Sequence, residues 1–134
     1  MGLILDSTEL VTAERAGLTA RRALLSYGDT QEIGVSVISL AELQHGVERA
    51  HAVSVRLRRE TFLAEIMGTV PIYNVVPSVT IRAGKLDAAL QSAGQMIAFN
   101  DLLIAATALE LGWTLVTRNR KHFERIPNLS IDAR

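Results

Sequence analysis

The chain contains no cysteine. Disulfides, thiolate metal centres and a cysteine nucleophile are therefore excluded, and a reducing cytoplasmic compartment is expected. Aromatic residues make up only 4% of the sequence, too few to build a stacking platform for bases. Neither sign of charge is in excess, with 14 Lys and Arg against 14 Asp and Glu. A neutral total excludes a protein that coats nucleic acid by bulk charge, but it allows a local basic rim around an acidic pocket. No apolar run approaches the roughly 20 residues of a membrane span, so no membrane association is expected. Asp6 interrupts the apolar N-terminus before a signal-peptide core could form. No Walker A loop, no G-x-G-x-x-G and no G-x-S-x-G elbow occurs. His45, His51 and His122 are too scattered for zinc-ligand spacing, and the first two read as surface helix residues.

What is present is an apolar sequence, 49% hydrophobic and 21% charged over 134 residues. That suits one folded domain spanning 1–134. Leu3 to Leu5 reads as a short buried strand, followed by helical character from Asp6 to about Ala16 and from Leu18 to Tyr27. Ile33 to Ile38 reads as a second strand, and Ser39 opens a helix towards Ala50. Val53 to Met67 reads as a helix stopped by Gly68, with Arg56, Arg58 and Arg59 facing water. Val70 to Val76 is strand-like, and Pro77 starts a helix to about Ala93. Asn100 is a good N-cap for a helix ending at Gly112, before the β-branched strand Trp113 to Thr117. A short helical turn and a last strand at Leu129 to Ile131 complete the chain. Strands alternating with helices predict an α/β fold, a parallel sheet with helices on both faces. Ligands in such sheets bind at the carboxyl ends of the strands.

Three acids stand near those ends. Asp6 follows the first strand, Glu42 follows the second, and Asp101 lies in the first turn of the helix before the fourth. Each has a plain structural explanation. Asp6 could be a simple cap, Ser39-x-x-Glu42 is a capping box, and Asp101 suits the positive end of a helix dipole. Asp101 joins the others only if its helix starts at the same edge, so Gln95 to Phe99 would have to bring the chain back. Converging carboxylates repel one another unless a cation is present. Such hard oxygen donors suit Mg²⁺ or Mn²⁺, which can activate water and stabilise a phosphoryl transition state. Arg118, Arg120, Lys121 and Arg125 follow the fourth strand and could contact phosphates, or form a solvated turn. The residues alone point to metal-dependent phosphoryl transfer or phosphodiester hydrolysis. A receiver-like metal-binding module and a small-molecule phosphatase are the competing classes. The first would want an acid after the third strand, where Val75-Val76-Pro77 stands.

Four segments resemble the PIN domain, and more narrowly the VapC-type ribonuclease toxins of toxin–antitoxin pairs. They are Leu5-Asp6-Ser7-Thr8, Ser39-Leu40-Ala41-Glu42-Leu43-Gln44-His45-Gly46, Asn100-Asp101-Leu102-Leu103-Ile104-Ala105-Ala106-Thr107-Ala108 and Leu115-Val116-Thr117-Arg118-Asn119. The resemblance runs through nearly the whole chain in family order. It implies a three-layer α/β/α domain with a central parallel sheet, and an Asp101 helix that starts at the acidic edge. It implies Mg²⁺ or Mn²⁺ held chiefly by Asp6 and Asp101, with Glu42 in the same pocket and Asn119 at its margin. It further implies cleavage of RNA, a homodimer and inhibition by a VapB-type antitoxin. Relatives often carry acids where Asn119 and His122 stand here, and Asn119 brings a carbonyl but no charge.

Overall fold

Side-chain alternation in the first strand sets the architecture. In β1 (Gly2–Leu5), Leu3 and Leu5 belong to one buried cluster while Ile4 belongs to the other. The computed structural model describes residues 1–133, and Arg134, the last residue of the expected domain, lies outside them. After β1 come α1 (Ser7–Arg15), α2 (Ala20–Leu25), β2 (Glu32–Ser36), α3 (Val37–Glu48) and α4 (Val53–Thr69). Then follow β3 (Ile72–Tyr73), α5 (Pro77–Ser92), α6 (Phe99–Leu111), β4 (Thr114–Thr117), α7 (Arg120–Phe123) and β5 (Ile131–Ala133).

The five strands form one sheet in the order β3-β2-β1-β4-β5, and every pairing is parallel. One face carries Leu10, Leu24, Leu43, Val47, Phe62 and Ile66 from α1 to α4. The other carries Val79, Ala83, Leu90, Leu102, Ile104 and Phe123 from α5 to α7. This is the expected three-layer α/β/α arrangement. Both faces being covered explains why Ile4, Leu5, Leu115 and Val116 are fully buried. Among the described residues no helix is long and apolar enough to cross a membrane.

Several boundaries differ from the sequence-based expectation. β2 stops at Ser36, whose hydroxyl accepts from Ile38 N and caps α3. Strand therefore passes to helix without a loop. Ser39 is not the cap, and Glu42 lies well past the first turn, so no capping box exists. Likewise α6 starts two residues early, at Phe99, with Ala98 as its N-cap and no side-chain cap bond. Asn100 is released for another role. β3 has two residues rather than seven. α4 runs through Gly68 to Thr69. Gly112 does stop α6 in the left-handed region at φ 68°. Arg58 and Arg59 do not simply face water, since both bind the buried Glu14 of α1, and Arg59 also donates to Gly46 O at 2.7 Å.

The route to the Asp101 edge is also different. Arg82, early in α5, pairs with Glu110 at the end of α6. The two helices are therefore antiparallel, and α5 itself carries the chain towards the carboxyl edge. The connection 93–98 has only to turn.

Candidate active site

Asp6 follows β1 directly, and its own N–H donates to Val116 O at 2.9 Å, which locks it to the end of β4. Its carboxylate is 1% exposed and accepts three hydrogen bonds. Oδ1 takes the backbone N–H of Ser7 at 2.9 Å, the N-cap bond of α1. Oδ2 takes the hydroxyls of Thr8 and Thr117, both at 2.7 Å. The capping reading of Asp6 is thus correct, and the same side chain also stands at the carboxyl edge.

Glu42 projects from α3 towards the same edge. Its Oε1 accepts from Ser7 Oγ at 2.8 Å and its Oε2 from Asn100 Nδ2 at 2.9 Å. Burial pushes the Glu42 carboxyl above its ordinary range, and Asp101 and Asp6 push it further. The bonds from Ser7 and Asn100 oppose that rise.

Asp101, half-buried in the first turn of α6, has its Oδ2 2.9 Å from His122 Nε2. That contact is an ion-pair distance rather than an aligned hydrogen bond. Burial raises the Asp101 carboxyl, the His122 ring draws it back, and Asp6 raises it again. The edge-to-face packing of His122 on the buried Phe123, with centroids 5.6 Å apart, orients the imidazole. Asp6, Glu42 and Asp101 therefore share one electrostatic environment, as the sequence reading required.

Asn119 lies at the same edge but is exposed, and its side chain caps nothing. Its N–H donates to Thr117 Oγ1 at 3.0 Å, so its backbone helps to fix the hydroxyl that Asp6 uses. Arg118 is only partly available to a ligand. Its Nε donates to the buried Glu9 at 3.0 Å, and Glu9 also accepts from Tyr27 Oη. Arg120 pairs at 3.6 Å with Glu124 on the surface, and Lys121 is exposed. Arg125 reaches Met96 O at 3.5 Å. His45 is an exposed residue of α3, as expected, while His51, also exposed, lies in the connection between α3 and α4 rather than in a helix.

Sequence reasoning missed Ser7, Thr8, Asn100, Thr117 and His122 as partners of the acids. Thr8 and Ser7 had a signal in standing beside Asp6 at a strand end. Thr117 had one in closing the buried strand β4 with a hydroxyl.

The donor set suits a hard divalent cation. The acids offer only oxygen, and two of them carry raised affinities for protons that a nearby cation would relieve. Asp6 and Glu42 are turned to their own hydrogen-bond donors, and Asp101 to the His122 ring. Among the described residues no three His, Asp or Glu side chains gather about one point. An ion here would take one or two carboxylates and complete its shell with water, the habit of Mg²⁺-type ions.

Comparison with known proteins accords with this geometry. Residues 3–129 match the PIN domain family. Ribonuclease VapC2 of Rickettsia felis is 37% identical over 100 residues, covering 75% of this chain and 72% of the relative. Ribonuclease VapC1 of the same organism is 30% identical over 131 residues, covering 98% and 95%. The crystal structure of VapBC2 from Rickettsia felis, bound to a DNA fragment from their promoter, superposes with a TM-score of 0.84 at 31% identity. That superposition covers 100% of this chain and 99% of the solved one. A match through all four edge-forming segments, with a relative aligned almost end to end, means that the chain belongs to the PIN domain family.

Proposed function

We propose that this chain is a metal-dependent endoribonuclease, the toxin of a toxin–antitoxin pair. The observation that carries the reading is the convergence of Asp6, Glu42 and Asp101 on one sheet edge, tied together by Ser7, Asn100 and His122. Relatives named ribonucleases and a VapBC complex of the same fold support it. PIN nucleases use divalent metal ions, and here the ion is Mg²⁺ or Mn²⁺, held chiefly by Asp6 and Asp101. Bound there, it would supply Lewis-acid stabilisation of phosphoryl charge and a water of lowered pKa.

The chain's own residues do the rest. Asp6 is held rigid by its two threonine bonds. Glu42, which would share in holding the ion, orients the attacking water and receives its proton. Its upward-shifted carboxyl, raised chiefly by burial, accepts a proton more readily than an ordinary Glu, which favours the role of base. Asn119 orients water at the margin through its carbonyl. Lys121 and Arg120 meet backbone phosphates, while Arg118 contributes the part of its guanidinium not bound to Glu9.

The partner is a VapB-type antitoxin whose cationic side chain fills the acidic pocket, since an Arg fork pairs with carboxylates. The chain acts as a homodimer, and the exposed Ile81, Met96 and Phe99 on the α5–α6 side offer apolar area for it. The expected site of action is the cytoplasm, and residues 1–134 act as one catalytic unit.

The test is incubation with total RNA, DNA and a chromogenic phosphomonoester, each with Mg²⁺ or Mn²⁺ and each with chelator. RNA alone should be cut, and only with metal. RNA left intact at every metal concentration, or cut equally well in chelator, refutes the reading. Co-expression with the antitoxin should abolish cleavage, and the two chains should purify together.

A further inference from the structure

Asn100 is placed to do something more useful than capping. Asn is among the best N-cap residues, and a helix starts within two residues of it. Yet α6 begins at Phe99, after Ala98 as an N-cap that makes no side-chain bond, and the amide of Asn100 goes instead to Glu42 Oε2 at 2.9 Å. The partner is 58 residues away in sequence, so the contact is tertiary. On the other side, Ser7 Oγ meets Glu42 Oε1 at 2.8 Å. Each Glu42 oxygen thus receives one donor, and the donors come from opposite sides of the pocket. Ser7 is the neighbour of Asp6, and Asn100 is the neighbour of Asp101.

Glu42 needs such support. It lies beyond the first turn of α3, where no free backbone N–H is offered to it. Its side chain is only half-buried and has three rotatable bonds, so packing alone does not hold it. Two donors, one on each oxygen, define both the direction and the plane of the carboxylate.

We propose that Asn100 and Ser7 are positioning residues for Glu42, which set the orientation in which its carboxylate works. They couple the three acidic segments, so that the carboxylate of α3 is aligned relative to Asp6 and Asp101. The inference rests on the nuclease reading, with Glu42 as the group that handles the attacking water.

The experiment combines a kinetic cycle with a metal-free measurement. Asn100→Ala should lower kcat by about 10–100-fold, the usual effect of losing a supporting hydrogen bond to an active-site ligand. KM for RNA should stay within about twofold, because the amide acts through Glu42 rather than on the substrate. Asn100→Asp keeps the shape but loses the donor, and it should be no better than the Ala variant. Ser7→Ala should show the same kcat effect, and Ser7→Thr, which keeps the hydroxyl, should recover it. In a Glu42→Ala background, Asn100→Ala should have no further effect on kcat. In the metal-free protein, the side-chain NH₂ resonance of Asn100 should move on Glu42→Ala, and this signal does not depend on activity.

An additive cycle, or a rise in KM that persists in the Glu42→Ala background, would overturn the proposal and make Asn100 a direct RNA contact. An Asn100 resonance unmoved by Glu42→Ala would overturn it by removing the hydrogen bond itself. A wild-type protein that cuts no RNA, yet shows the resonance shift, would instead refute the nuclease reading and with it any catalytic role for the contact.

Discussion

Thr117 Oγ1 donates to Asp6 Oδ2 at 2.7 Å across 111 residues of sequence, and both residues are almost completely buried. The bond joins the last residue of β4 to the first residue after β1, so the register of two adjacent parallel strands aims the Asp6 carboxylate. Thr8 donates to the same oxygen, and Arg118 N and Asn119 N lean on the two hydroxyls at 3.2 and 3.0 Å. Asp6 is therefore held by a small network in which every member has its own partner.

Thr117→Val is nearly isosteric and removes only the hydroxyl. It leaves a buried carboxylate oxygen with one donor instead of two, and the N–H of Asn119 without its acceptor. The expected cost is about 1.5–3 kcal/mol of stability, the range for hydrogen bonds to charged groups. RNA cleavage should fall about 10–100-fold, while Thr117→Ser retains most of it. Urea denaturation beside a cleavage assay measures both. A valine variant with wild-type stability and rate would show that the bond does not position Asp6.

Ser39 gives a prediction whose sign separates two assignments. As the cap of a capping box, Ser39→Ala would cost about 1 kcal/mol. In the fold Ser39 is fully buried inside α3 and its hydroxyl has no partner. Removing an unsatisfied buried hydroxyl should leave stability unchanged or raise it by up to about 1 kcal/mol. The midpoint of urea unfolding decides between them, and cleavage should be unchanged. By contrast Ser36→Ala, which removes the true cap, should cost about 0.5–2 kcal/mol.

That pair of serines shows where the sequence was legible and where it was not. The short apolar run of β1, the β-branched run of β4, the left-handed stop at Gly112 and the proline start of α5 are local signals, and each was readable. The edge position of Asp6 was readable as well, because it follows a strand directly. The start of α3 was not, since Ser36 and Ser39 are both competent caps and nothing local says that a strand can pass into a helix without a loop. Asn100 was misassigned for the same reason: its preference for capping lost to a tertiary acceptor on Glu42. The antiparallel pairing of α5 with α6 depends on packing over more than 20 residues, which no periodicity encodes. The bonds that hold the acids run between segments tens of residues apart, so only the fold reveals them.

Glu42 gives a pH prediction. Its folded carboxyl is raised, chiefly by burial and further by Asp101 and Asp6. A carboxyl raised on folding binds its proton more tightly in the native state than in the unfolded chain. Its contribution to stability is therefore most favourable at acid pH and is lost as pH rises from the ordinary carboxylate range through the raised value. In Glu42→Gln that loss is absent. The melting temperature of metal-free Glu42→Gln, relative to wild type, should thus climb as pH is taken from about 4 to about 8. A difference that is flat, or that climbs towards acid pH, would mean that Glu42 is not destabilised by its surroundings. Metal should suppress the trend by supplying the missing positive charge.

Asp101 allows the sharpest test, because its two assignments predict opposite changes. As a first-turn acid it interacts favourably with the dipole of α6, by ~0.3–1 kcal/mol. Asp101→Asn would then lower stability and leave catalysis alone. As a member of the acid group it is desolvated and repelled by Asp6, and only the His122 contact offsets this. The carboxyl is raised overall. Its ionised form is therefore a net cost near neutral pH when no cation is bound, and metal-free Asp101→Asn should be as stable as wild type or more so. Metal that binds only the folded pocket should raise the wild-type melting temperature, by the equivalent of about 2.7 kcal/mol at a hundred times its Kd. The increase should shrink in the variant, and cleavage of RNA should fall roughly a hundredfold or more. Melting curves in chelator and in millimolar Mg²⁺ or Mn²⁺, beside one cleavage assay, give all three quantities. A variant that melts lower in chelator, keeps the wild-type metal shift and still cuts RNA would return Asp101 to the helix dipole and leave the proposed centre without its second ligand.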